Sequence, residues 1–379
     1  MSSQHFDYLV LGLGGAGSAA LYHLARRGHH VAGLDRFPIA HDRGSSHGHT
    51  RLIRQSYFEH PSYVPLVQRA FELWEQLSEE HGRDVYYETG IIEAGPADGE
   101  LVPGVLASAE KHNLPIECLS TSEASQRWPQ FSFAPDHQVV FEQRAGFLLV
   151  EQCVSAHVEL AQWAGAETYC DQTIKSIQSE DDVVRVITNQ GEFTARKVIV
   201  TLGAWARDLL PDVSSYLTVL RKSLHWFEAD DSLYSRKSGC PSFLFETGAG
   251  YFYGFPASDW RGLKVAQHTG GEPVKDPLEV NRNLDLAERS EVQQFLARHL
   301  PGVSEVPTDH AVCMYTMTPD SHFVIDQCQH DSRIVYAAGL SGHGFKFTAA
   351  LGEVLADMAT GCDCRFDLSR FRGSRLNRG

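Results

Sequence analysis

No stretch of this sequence is long and apolar enough to span a bilayer, so a membrane-embedded chain is not expected. Basic residues are in deficit: 33 Lys and Arg stand against 48 Asp and Glu, for a formal net charge of −15. That balance argues against nucleic acid or an anionic membrane surface as a partner. An anionic small molecule is still allowed, but its site must then supply local positive charge. The eight cysteines (Cys118, Cys153, Cys170, Cys240, Cys313, Cys328, Cys362 and Cys364) are scattered, and only Cys362 and Cys364 lie close together. There is no paired C-x-x-C, so no zinc site is expected. The first strand begins at Phe6, which leaves no room for a signal peptide, and the tail Arg375-Leu376-Asn377-Arg378-Gly379 carries no peroxisomal or prenylation motif. The expectation is a cytoplasmic protein with reduced thiols, each by default a small buried hydrophobe. Neither an internal repeat nor a low-complexity linker is present, and 379 residues are long for one core, so two domains are expected.

What is present begins at the N-terminus. Residues 6–11 read as a strand, Gly12-Leu13-Gly14-Gly15-Ala16-Gly17 as a turn, 18–27 as a helix, and 30–34 as a second strand ending on Asp35. This is a dinucleotide-binding pattern. Gly12 permits the tight turn, Gly14 lets a pyrophosphate approach the backbone, and Gly17 lets helix and strand pack closely. The helix N-terminus offers free N–H groups to phosphate, and Asp35 is placed to accept from a ribose hydroxyl. The turn alone leaves NAD and FAD open.

Downstream, the polar loop 41–54 carries Arg43, Arg51 and Arg54 and reads either as a ligand surface or as a solvated loop. The stripe Val67, Ala70, Phe71, Trp74 and Leu77 has helical spacing and reads as core. Residues 85–94 read as one strand, 192–194 and 197–201 as two, the second ending at Gly203, where open α/β sheets hold ligands. Between 217 and 265 short aromatic-rich strands alternate with turns, as in an antiparallel sheet. Residues 333–338 form a further buried strand that opens into Gly339-Leu340-Ser341-Gly342-His343-Gly344-Phe345-Lys346-Phe347 before a helix over 348–358. A plain NAD dehydrogenase needs no such second glycine loop, so the pattern points to FAD. The expected fold is α/β: a discontinuous Rossmann-like FAD-binding domain (1–84, 141–215 and 320–379) with an inserted, mostly antiparallel substrate domain (85–140 and 216–319).

Several motifs make this more specific: Gly12–Gly17, Gly44-Ser45 with Gly48 and Thr50-Arg51-Leu52-Ile53-Arg54, Tyr63-Val64-Pro65-Leu66, Arg127-Trp128-Pro129, Tyr253-Gly254-Phe255-Pro256, Ala311-Val312-Cys313-Met314-Tyr315-Thr316 and Ser341–Phe347. On these, and over nearly its whole length, the chain resembles the monomeric sarcosine oxidase family, which includes N-methyltryptophan oxidase, among the D-amino-acid-oxidase-like flavoenzymes. The resemblance implies FAD held by a thioether to Cys313, a residue that reacts as its thiolate. It implies flavin contacts from Gly12, Gly14, Gly15, Ala16, Gly17, Asp35, Arg36, Ser45, Ser46, Thr50, Arg51, Ile174, Gly203, Met314, Gly342, Gly344, Phe345 and Lys346. Arg54 and Lys346 match residues that hold a substrate carboxylate, with His343 alongside. A lysine at the head of a helix is disfavoured by the helix dipole, which itself suggests a nearby anion. Lys264 matches a lysine that promotes reaction with oxygen, Arg51 a cation beside the flavin ring, His268 a histidine at the substrate site, and Tyr253 and Tyr315 tyrosines that shape the pocket. Two positions depart from the family loop Gly-Ser-His-His-Gly-Asp-Thr-Arg: Ser46 replaces its first histidine and His49 its aspartate.

The implied function is a monomeric flavoprotein oxidase of N-methyl or cyclic secondary amino acids. It would yield an imine, hydrogen peroxide from O2, and formaldehyde where the group was N-methyl. The alternatives are a flavin amine dehydrogenase that uses another electron acceptor, and a non-catalytic flavin-binding protein.

Overall fold

The computed structural model describes residues 4–378. The strand Gln4–Leu11 lies inside a parallel sheet, between Val31–Leu34 and Glu192–Val200. Glu167–Tyr169 extends the sheet on one side, and Ile334–Ala338 pairs with Glu192–Val200 on the other. The central strands are apolar on both faces, as a sheet covered on both sides requires, and Leu9, Val10, Leu11, Val198, Ile199 and Val200 are fully buried. The helices Gly15–Arg26, Val150–Trp163 and Thr348–Thr360 pack together over this sheet. The first and last of them approach so closely that a Cβ on Gly352 would lie 2.4 Å from that of Ala19.

The two strands expected over 192–194 and 197–201 are one. It pairs with Gln4–Leu11 along its length; on its other edge the first half meets Val184–Thr188, whose hairpin partner is Ile174–Ser179, and the second half meets Ile334–Ala338. The polar Arg196-Lys197 step is where that edge changes partners.

A second, nine-stranded sheet is antiparallel except where Ile91–Pro96 meets Ser242–Thr247. Its long rib is the pair Thr218–Phe227 and Pro307–Met317, which carries Cys313. A small third sheet joins Thr50–Ile53, Gly146–Leu149 and Tyr86–Glu88. The single strand expected over 85–94 is therefore two. Gly90 breaks it at φ +68°, sending Tyr86–Glu88 to the small sheet and Ile91–Pro96 to the large one. The fold class is the one expected, an α/β parallel-sheet domain with a mostly antiparallel sheet inserted. Among the described residues no helix is long and apolar enough to cross a membrane.

Candidate active site

The helix after the glycine turn starts at Gly15, not at residue 18, so the second half of the motif is the helix's own first turn. Gly12 has φ +89°, and a Cβ there would sit 2.6 Å from the carbonyl oxygen of Thr201. At Gly17 a Cβ would fall 1.8 Å from the carbonyl oxygen of Gly12. Gly17→Ala must therefore push the helix off its strand. Its expected cost is at or above the upper end of the about 1–3 kcal/mol typical of overpacking, read as a lowered thermal unfolding midpoint together with weakened flavin retention.

Asp35 is buried and ties the turn together. Its Oδ2 accepts from the Leu13 N–H at 2.6 Å and its Oδ1 from the Phe37 N–H at 2.9 Å. Ser46, one of the two departures from the family loop, accepts from the Gly15 N–H at 3.0 Å. The helix has no acidic residue in its first turn, and the Ser46 hydroxyl that meets its first N–H is neutral, so its positive end carries no compensating charge and suits a pyrophosphate.

A cavity of about 1340 Å³ opens against this turn. Of the expected flavin contacts, Gly12, Gly14, Gly15, Ala16, Asp35, Arg36, Ser45, Ser46, Arg51, Ile174, Gly203, Met314, Gly342, Gly344 and Phe345 line it. Gly17, Thr50, Cys313 and Lys346 do not: Gly17 faces Gly12, and Lys346 lines a second cavity. Gln172, Thr201, Trp205 and Thr348 also line the first cavity and were not expected there. Trp205 lies two residues after the singled-out Gly203, so its position was a usable signal, whereas Gln172 gave none. A cavity with a glycine turn, an open helix N-terminus and a terminal acid at its wall fits a flavin dinucleotide.

The second cavity, about 500 Å³, adjoins the first and shares Arg51, Tyr315, Gly342 and Phe345 with it. It brings together Arg54, Lys346, His343, His268, Tyr253 and Tyr315 from segments distant in sequence, among the apolar side chains Leu52, Phe58 and Leu244. Glu59 also lines it and was not expected. Lys264 lines neither cavity. It is buried, and its Nζ donates to the carbonyls of Gly48 at 2.6 Å and Thr50 at 2.9 Å. His49, the other departure from the family loop, faces Asp259 at 3.5 Å.

The electrostatics follow from burial and a few close cations. Burial alone would raise the Cys313 thiol, but Arg51 and His47 outweigh it and bring it down to about 6. Arg51 Nη2 donates both to Cys313 Sγ at 3.1 Å and to the Ser45 carbonyl at 3.0 Å. Burial, reinforced by Arg54, lowers Lys346 to about 7. Its Nζ donates to the His343 carbonyl at 2.8 Å, and Trp74 of the expected core stripe donates to the Lys346 carbonyl at 2.9 Å. Burial and nearby Lys222 push His268 down to about 3, so its ring is neutral, with Nδ1 3.3 Å from the Tyr315 hydroxyl. Burial raises Tyr253 and Tyr315, keeping both phenols protonated. The pocket thus presents the guanidiniums of Arg51 and Arg54, the readily neutralised amine of Lys346 and the carboxyl group of Glu59 among neutral hydrogen-bonding groups.

These features define a flavin-dependent oxidoreductase, and the comparisons with known proteins agree. Residues 7–358 match the model of the family described as FAD dependent oxidoreductase, and the chain belongs to that family. It is 36% identical over 375 residues to the monomeric sarcosine oxidase of an Arthrobacter species, covering 98% of this chain and 96% of that protein. It is also 36% identical over 373 residues to the N-methyl-L-tryptophan oxidase of Yersinia pestis, covering 98% and 99%. Its fold matches that of NikD, described as an unusual amino acid oxidase essential for nikkomycin biosynthesis, with a TM-score of 0.85, 23% identity and 98% of each chain covered.

Proposed function

We propose that this protein oxidises N-methyl or cyclic secondary amino acids, with O2 as electron acceptor and hydrogen peroxide as product. The observation that carries this reading is the second cavity, where Arg54, Lys346, His268 and two tyrosines border the cavity that fits FAD. Similarity to a sarcosine oxidase and an N-methyl-L-tryptophan oxidase over nearly the full chain supports it. When bound, the flavin would supply the two-electron oxidation of the C–N bond and the return of those electrons to O2.

The chain's own residues would do the rest. Arg54 and Lys346 would hold the substrate carboxylate, the guanidinium by a planar fork and the ammonium as a point charge. Oxidation requires the amine's lone pair, and burial in the pocket disfavours the charged ammonium. Neutral His268, beside the Tyr315 hydroxyl, can accept the amine N–H and fix its orientation. Leu52, Phe58, Leu244 and Phe345 keep the reacting carbon in an apolar, water-poor wall. Gly12–Ala16, Asp35 and Arg36 would hold the dinucleotide, and Cys313 would bind it covalently through a thioether. Lys264 would act on oxygen from its buried place beside Gly48 and Thr50, where burial and neighbouring Arg51 hold its ammonium well below the usual lysine range.

A peroxide-coupled assay across sarcosine, N-methyltryptophan, pipecolate and proline tests the reading. The expected result is peroxide with at least one of them and none with the corresponding decarboxylated amines. Absence of turnover across the panel would leave only flavin binding.

A further inference from the structure

Behind the carboxylate-binding pair lies a charged group that lines neither cavity. Glu93 sits on the strand Ile91–Pro96, between Ser242–Thr247 and His137–Glu142. Strand alternation sends Ile92 and Ala94 into one core and puts Glu93 on the same face as Ile91, towards Arg54. Glu93 is 0% exposed, and its carboxylate lies 2.8 Å from Arg54 Nε. The contact is not aligned as a hydrogen bond, and among the described residues neither Glu93 oxygen has a hydrogen-bond partner.

The charged groups that face Glu93 are Arg54, Glu142, Glu59 and Lys346. Beside it, the neighbouring strands contribute Leu244 and Val140, and the helix Leu101–His112 adds apolar Leu101, Val102 and Val105. Three carboxylates therefore surround two cations. With every group ionised the cluster carries one surplus negative charge, and a substrate carboxylate would add a second. A buried site resolves such a surplus by taking up a proton. Burial raises Glu142 as well, but its oxygens accept from the backbone N–H groups of Gln55 and Ser56 at 2.8 Å each, which oppose that rise and favour its charged form in a way no donor but Arg54 does for Glu93. Glu59 borders the cavity and meets Arg54 Nη2 at 3.1 Å. Glu93 has no donor to stabilise its charge other than Arg54 itself.

We propose that Glu93 is a positioning residue for Arg54 and the group that takes up a proton when a substrate carboxylate enters the site. The proposal rests on the reading that the substrate carries a carboxylate. Burial, only partly opposed by Arg54, raises Glu93 to about 8. Below that pH, Glu93 is neutral in the empty site and the charge of Arg54 is free to meet a carboxylate. Above it, ionised Glu93 compensates Arg54, so affinity falls with rising pH and each binding event takes up a proton. Lys346, lowered to about 7, adds an uptake of its own, which persists in a Glu93 variant although an ionised Glu93 is one of the charges that raise it.

The probe is methoxyacetate, which keeps the carboxylate and has no titratable amine. Calorimetric titration of the holoenzyme at pH 9, in two buffers of different ionisation enthalpy, counts the protons taken up. Wild type should take up about one proton more per bound probe than Glu93→Gln, and its dissociation constant should rise up to about tenfold more per pH unit above 8. Equal uptake in the two proteins would overturn the proposal. The infrared difference spectrum of wild type on probe binding at pH 9 should gain a protonated-carboxyl band. Its absence would also overturn the proposal, whether or not the variant folds. Positioning is read at pH 6, where Glu93 is neutral. Glu93→Leu should weaken the probe about tenfold, and Glu93→Gln, which keeps an oxygen beside Arg54, should restore most of the loss. Equal weakening by both would remove the positioning role. If methoxyacetate binds wild type at no pH, the carboxylate reading itself fails; if it binds without the extra proton, only the Glu93 proposal fails.

Discussion

Acid precipitation of the Cys313→Ala protein should leave its yellow colour in the supernatant, whereas wild-type colour should stay with the pellet. A cysteine becomes a useful nucleophile only as its thiolate, and a buried thiol in apolar surroundings normally moves the wrong way. Cys153 shows the ordinary case, with burial pushing its thiol well up. Cys313 is just as buried, but Arg51 at 3.1 Å and His47 bring it down to about 6. Flavin attachment to apoprotein should therefore speed up as pH rises through about 6 and level off by neutrality. Arg51→Gln should shift that rise to higher pH and slow attachment at pH 7. Colour in the wild-type supernatant would remove the thioether and leave FAD held by noncovalent contacts alone.

Arg54→Met should lower kcat/KM for a secondary amino acid by roughly two to three orders of magnitude. Truncating one partner of a buried charge pair costs about 2–5 kcal/mol, and each 1.36 kcal/mol is about tenfold in rate. Arg54 is 3% exposed and bound on two sides by Glu59 and Glu93, so water cannot take over its role. The loss should appear mainly in KM, because the carboxylate is held alike before and during reaction. A secondary amine without a carboxylate should be turned over no worse by the variant than by wild type. An equal loss on both substrates would mean that Arg54 supports the pocket's structure and does not bind a carboxylate.

The parts of this site that were legible in the sequence are those written in contiguous residues. The glycine turn with Asp35, and the loop from Gly339 to Phe347, each carry their geometry locally, through positive φ at Gly12, Gly339 and Gly342 and a helix that follows at once. The parts that were not legible depend on which strands become neighbours. Glu93 reads as an ordinary charge in a strand, and only the break at Gly90 and the pairing with Ser242–Thr247 bring it behind Arg54. His47, a determinant of Cys313, lies 266 residues before it and belongs to a loop with no regular structure. Lys264 was singled out by resemblance, yet its hydrogen bonds to Gly48 and Thr50 follow from packing of the inserted sheet on the polar loop. The helix begins at Gly15 although glycine scores as a helix breaker, because close packing of Gly15 against Phe345 and Thr348 and of Gly17 against Gly12 and Thr201 outweighs its propensity.

The most direct test of a secondary-amino-acid oxidase is a two-stage flavin titration of wild-type holoenzyme. One equivalent of the best secondary amino acid, added without oxygen, should bleach the yellow absorbance. Readmitted air should then restore it within the turnover time, with about one hydrogen peroxide formed per flavin. Bleaching that air does not reverse, or reverses without peroxide, would instead identify a dehydrogenase that needs another acceptor.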